Sequence, residues 1–162
     1  MEVLCSERDF IGKNGMVNWP KSIAVVIGLL AIFAYARVEG ADWRSFGVFG
    51  PYAYQYDSES VNFEAGRIKV WVDYFVTSNE SRDWVIQRRK KKGYSIKGYE
   101  DYTHSLSLWI IDCSNNKWGV LKGNDYDGKG RLLESLTPPK SINWLEIIPT
   151  SAVGVLRKVI CR

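Results

Sequence analysis

The chain has 162 residues, with 22 Lys and Arg against 18 Asp and Glu, a formal charge of +4. That is too mild to imply nucleic acid unless it is concentrated in one place. A single His and three Cys exclude a His-rich metal site, a His pair and a four-cysteine zinc site, whereas seven Trp, nine Tyr and six Phe are an unusual load of rings for this length.

Ile23 to Ala36 reads IAVVIGLLAIFAYA, an uncharged run with Lys21 before it and Arg37, Glu39 and Asp42 after it. A membrane span needs about twenty apolar residues, and this run is shorter. A positive flank, an apolar core and small residues at its end describe a secretory signal peptide. Ala34-Tyr35-Ala36 is an A-x-A cleavage site, and cleavage near Gly40 or Ala41 fits as well. Residues 1–41 are therefore assigned to the signal, with Met16 as a possible true start, and residues 42–162 to one exported domain. The bland alternative is a short, uncut signal anchor. No cysteine follows the apolar core within reach of a lipobox, so no lipid attachment is expected, and Cys5 falls in the discarded part.

Strand signals dominate the rest. Trp43 to Asp57 is rich in rings, and Tyr54–Asp57 and Ser60–Phe63 look like edge-type strands around a turn. Gly66 leads into Lys69–Thr77, where Val70, Val72, Tyr74 and Val76 share one face and Trp71, Asp73, Phe75 and Thr77 the other. The second face is partly apolar, which predicts cover by a helix or another chain. Arg88, Arg89, Lys90, Lys91 and Lys92 concentrate the positive charge in a stretch read as a loop over 82–99. Residues 105–113 and 117–122 alternate and predict a hairpin across Asn115-Asn116. Gly123 to Gly130 is a loop by composition. It resembles an acidic calcium loop but lacks the register and closing Glu of an EF-hand, so a plain turn is expected there. Arg131–Ser135 is a short strand that Pro138-Pro139 stops. The one helix expected is Ala152–Ile160, capped by Thr150 or Ser151, with Val153, Leu156 and Ile160 on one face. Gly154 and the valines weaken it, so it needs a sheet to pack on.

Strands followed by a terminal helix give an α+β fold: an antiparallel sheet of about six strands with a C-terminal helix packed on it. Removal of the signal leaves Cys113 and Cys161, and an exported chain with two cysteines usually pairs them. That bond would tether the helix to the sheet, closing a loop worth roughly 4 kcal/mol on the loop-entropy model.

Several ordered pieces carry a resemblance. They are Trp43 at the opening, Tyr56-Asp57-Ser58-Glu59-Ser60-Val61, Gly66-Arg67-Ile68-Lys69-Val70-Trp71, and Ile111-Asp112-Cys113. The close runs from Trp144 through Ile147-Ile148-Pro149-Thr150-Ser151 to Leu156 and Cys161. In this order the set resembles the surface-adhesin protein E family of Gram-negative bacteria over nearly all of residues 43–161. The resemblance implies a six-stranded antiparallel sheet with a tethered C-terminal helix, and founding members that bind host extracellular-matrix and plasma proteins.

His104 is the sole imidazole, and Asp57, Asp73 and Asp112 are the carboxylates that a hydrolase would pair; turn-capping and surface roles account for them more simply. The expected function is a small, non-enzymatic, exported binding protein, with no catalytic, cofactor-binding or metal-ligating residues. It would contact a host matrix or plasma protein, or an anionic glycan or lipid surface, through Trp84, Arg88, Arg89, Lys90, Lys91, Lys92 and Tyr94. Nucleic acid and a small-molecule substrate are not expected partners. The compartment is the periplasm or outer cell surface of a Gram-negative bacterium. A periplasmic accessory protein is the alternative, and a small exported hydrolase stands behind it.

Overall fold

A computed structural model describes residues 40–136 and 140–161. Residues 1–39 of the expected signal, with its Ala34-Tyr35-Ala36 site, and the Pro138-Pro139 stop lie outside those residues. The elements in chain order are β1 (Trp43–Phe49), β2 (Tyr52–Asp57), β3 (Asn62–Glu64), β4 (Arg67–Val76), α1 (Asn79–Lys91), β5 (Tyr102–Asp112), β6 (Lys117–Asp127), β7 (Leu132–Leu136), β8 (Leu145–Glu146) and α2 (Ala152–Ile160). Short 3-10 turns precede β3 and β5.

The sheet runs β1-β2-β4-β5-β6-β7, every neighbour antiparallel, with β3 extending the pairing of β4 and β8 that of β6. This is the expected architecture. Register sorts the side chains. Tyr54 pairs with Tyr74, Tyr74 with Ser105, Val72 with Ser107 and Val70 with Trp109, so these residues share one face. On it Ile68, Val70, Val72, Trp109 and Ile111 bury against Ile147, Ala152, Val153, Leu156 and Ile160, which fastens α2 to the middle of the sheet. Ser151 caps the helix by accepting from Gly154 N at 3.2 Å. The Cys113–Cys161 disulfide joins the end of β5 to the end of α2.

Three sequence expectations need correction. The 82–99 stretch is not a loop: residues 79–91 form α1. Its few apolar residues give no helical stripe, and tertiary anchors hold it instead. Ser78 caps it by accepting from Ser81 N, the Arg82 guanidinium donates to Tyr102 O at 2.8 Å, and Val85 packs with Tyr99 and Tyr102. Gly123 to Asp127 is strand as well, because β6 continues to Asp127 between β5 and β7. Ladder hydrogen bonds on both sides outweigh the weak strand propensity of Gly-Asn-Asp; only Gly128–Gly130 is turn. Thirdly, of the two covers expected for the second sheet face, no helix lies there among the described residues. Ile142 lies over Gly119, which pairs with the buried Ile110, while Phe75 on the same face stays exposed.

The inward row of β5 is the polar-looking one, since Ser105 and Ser107 are buried while Leu106 and Leu108 are only half-buried. The serines are satisfied there. Tyr102 Oη lies 2.8 Å from Ser105 Oγ, and Tyr74 Oη lies 3.3 Å from Ser107 Oγ.

Candidate functional site

Helix α1 carries Trp84, Arg88, Arg89, Lys90 and Lys91 of the residues singled out for binding, Lys92 and Tyr94 follow it, and its sequence explains where it stops. Lys92 closes it, Gly93 follows at φ +72°, and Tyr94 N donates back to Arg89 O at 3.0 Å while Gly93 N donates to Lys90 O at 3.0 Å. This left-handed cap satisfies the last carbonyls. Arg88, Arg89, Lys90 and Lys91 occupy the final turn, where a helix dipole favours cations.

The five consecutive cations divide. Arg88, Lys90, Lys91 and Lys92 are exposed, and no ion pair engages them among the described residues. Arg88 lies over the Trp84 ring at 5.1 Å, a pairing of residues one helical turn apart. Trp84 is 46% exposed and Tyr94 56% exposed. Arg89 differs. Its side chain is only 13% exposed. It donates to Ser95 O at 2.9 Å and to Glu134, stands 3.6 Å from Asp125, and presses on the Tyr99 ring at 3.9 Å. The expected binding role for Arg89 therefore meets a residue already committed to tying α1 down on β6 and β7.

The network beneath Arg89 is dense. Tyr99 donates to Asp125 and lies 3.0 Å from Glu134, and Ser105 donates to the other oxygen of Asp125. Burial, then the neighbouring carboxylates, push the Tyr99 hydroxyl far above its ordinary range. Burial does the same to Tyr102 and lifts Tyr52 to about 12, so these rings stay neutral donors at any physiological pH.

Both helices sit on the same sheet face, α2 over its middle and α1 over the ends of β2, β4 and β5. Between them runs an open trough of about 1120 Å³. Its floor is aromatic. Tyr54 stacks on Tyr74 with centroids 5.4 Å apart, and Trp109 meets Trp118 at 5.0 Å. Nothing in the sequence pattern announced this feature, because its walls come from elements distant along the chain.

The residues considered for catalysis are dispersed. His104 stacks on Tyr126 at 5.1 Å, and its Nδ1 is 3.3 Å from Thr103 Oγ1. Ser105 and Ser107 engage partners on the helix-bearing face, while His104 pairs in register with Phe75 on the other. Asp57 accepts from Asp42 N and Glu59 N, capping a turn. Asp112 accepts from the Asn115 side chain and backbone, which hold its carboxyl below the usual range, with Arg67 3.6 Å away. Asp73 accepts from Gln55 at 3.0 Å and is raised above the usual range by burial. Burial alone would also raise Asp127, but hydrogen bonds from Arg131 and Lys129 outweigh it and hold the carboxyl low. Among the described residues no group of three or more His, Cys, Asp or Glu is placed to hold a metal ion, and no helix is long and apolar enough to cross a membrane.

Residues 43–162 match the family model described as surface-adhesin protein E. No curated protein matches the chain. Among solved structures, protein E of Haemophilus influenzae is similar at 15% identity, covering 72% of this chain and 87% of that one with a TM-score of 0.41. Protein E from non-typeable Haemophilus influenzae is similar at 12% identity, covering 78% of each chain with a TM-score of 0.43.

Proposed function

The chain belongs to the surface-adhesin protein E family, and on that premise we propose that it is a small exported adhesin-like protein whose α1 surface grips an acidic segment of a host matrix or plasma protein. Residues 1–41 would direct export and be removed. The observation that carries the reading is the pairing of exposed Trp84 with Arg88 beside three further exposed cations, Lys90, Lys91 and Lys92, on a helix anchored by Arg89. Exposed aromatics next to Arg are the residues that dominate protein interfaces. Cations without ion-pair partners add attraction that salt screens. Anchoring α1 beforehand removes the ordering cost that a flexible loop would bring to binding.

Immobilised acidic matrix glycoproteins and purified protein test this directly, with heparin as the sulfated-glycan arm. Reversal of four charges (R88E, K90E, K91E, K92E) is expected to weaken binding at least tenfold, and W84A to weaken it again. Raising salt from 50 to 500 mM should reproduce much of the charge effect. Unchanged binding of the reversed variant would remove α1 as the contact surface. Binding to heparin alone would replace the protein partner with a glycan.

A further inference from the structure

The trough between the helices has a polarity of its own. Its floor is built from Tyr54, Tyr74, Trp109 and Trp118. Its rim carries Val48 and Ile148, each 64% exposed, and Leu145, 47% exposed. Exposed apolar side chains gathered around one depression mark a binding groove more often than chance placement. Charge is asymmetric along it. Arg88 lines the α1 end, and a smaller hollow that shares Tyr52, Tyr74 and Arg88 with the trough is lined as well by Lys92 and by Asp125, whose charge faces Arg89 at 3.6 Å. Glu146, on β8, stands at the α2 end.

We propose that this trough binds a long-chain fatty carboxylate, its apolar chain laid over the tyrosine and tryptophan rings and its carboxylate held by Arg88 and Lys92. Glu146 sets the direction, because it repels the head from the α2 end. The charge match selects an anion, and the rim selects an apolar body. The floor selects against a peptide. Tyr54, Tyr74, Trp109 and Trp118 are each paired on both sides, so the floor itself presents ring faces and no free backbone donors or acceptors. A peptide's amides would lose water there without gaining partners, whereas an acyl chain has none to satisfy. The site does not rest on the adhesin reading: Arg88 and Lys92 belong to both surfaces, whereas Trp84, Lys90 and Lys91 serve the matrix contact alone and line neither hollow.

Titration calorimetry of the purified full chain tests the proposal with three probes of equal length below their micelle concentrations: hexadecanoate, hexadecanol and hexadecyltrimethylammonium. Saturable binding of one hexadecanoate is expected, at least tenfold tighter than the alcohol, with the cation weakest. R88E should abolish the preference for carboxylate over alcohol. V48D and I148D together alter two already exposed rim residues, and should weaken both probes at least tenfold. A brominated hexadecanoate should quench tryptophan fluorescence, less so in W118F. No saturable binding, equal affinity for acid and alcohol, or indifference to R88E each overturns the proposal. Tighter binding of an apolar peptide than of hexadecanoate overturns it too. Loss of matrix binding in R88E with hexadecanoate binding intact would leave the adhesin surface standing and this site refuted.

Discussion

Arg89 shows how one residue in a run of like charges can have a different task from its neighbours. Its guanidinium spans Ser95 O, Glu134 and Asp125 while lying against the Tyr99 ring. Truncation to Ala leaves Asp125, a partly buried carboxylate, facing only hydroxyl donors, and removes the tie between α1 and β7. Breaking such a pair costs more than the pair is worth, because a desolvated charge is left behind. We expect R89A to cost about 2 kcal/mol in urea unfolding, and K91A, fully on the surface, less than about 0.5 kcal/mol. Equal effects of the two would show that Arg89 is as idle structurally as its neighbours. R89K should not rescue fully, since an ammonium cannot reproduce the planar fork and ring contact. None of this was legible in Arg88–Lys92 read as a string: the partners lie 36 and 45 residues further on.

At the level of elements, periodicity succeeded where one face buries hydrocarbon and failed where it does not. Helix α2 was readable because Val153, Leu156 and Ile160 recur three and four apart and all bury. Helix α1 buries only Val85, so no stripe exists to read. Its end signals were present all the same: Ser78 before Glu80, then Arg and Lys before Gly93, the charge order a helix dipole favours. Burial of Ser105 and Ser107 was similarly invisible, because what satisfies them are tyrosine hydroxyls brought over by register. Gly154 illustrates the limit of propensity scales. Alanine is the better helix former by about 1 kcal/mol. Here, however, a Cβ would come within 2.3 Å of Ile148 O and 2.7 Å of Pro149 O, in the turn that Ser151 closes on the same carbonyl. Backbone must move to admit it. We therefore expect G154A to destabilise by about 1–3 kcal/mol, read as a lower urea midpoint with an unchanged slope; a stabilised variant would mean that the turn relaxes freely.

For the whole molecule, the antiparallel sheet with its terminal helix was recoverable from the sequence, the helix between β4 and β5 was not, and the crosslink was, because the domain after the expected signal holds two cysteines and so one pairing. The placement of both helices on a single face was not recoverable, and that placement creates the trough. Helix α2 spans only nine residues, too short to persist alone in water. It stays because it buries Leu156 and Ile160 on the sheet and because Cys161 is bonded to Cys113, Cα atoms 5.8 Å apart and 48 positions apart in sequence. Closing a loop of that length removes chain entropy worth about 4 kcal/mol, comparable with the net stability of a domain this size, about 5–15 kcal/mol. The double variant C113S/C161S should accordingly lose about 4 kcal/mol. Amide exchange should quicken first over 152–160, while β4 and β5, paired on both sides, keep their protection. If exchange instead rises evenly over the sheet, α2 and the strands form one cooperative unit, and the bond stabilises the fold without singling out its last helix. The same variant links scale to function: fraying of α2 removes the Ala152–Val153 wall of the trough but leaves α1, held by Arg82, Val85 and Arg89, in place. Carboxylate binding should then fail before matrix binding does.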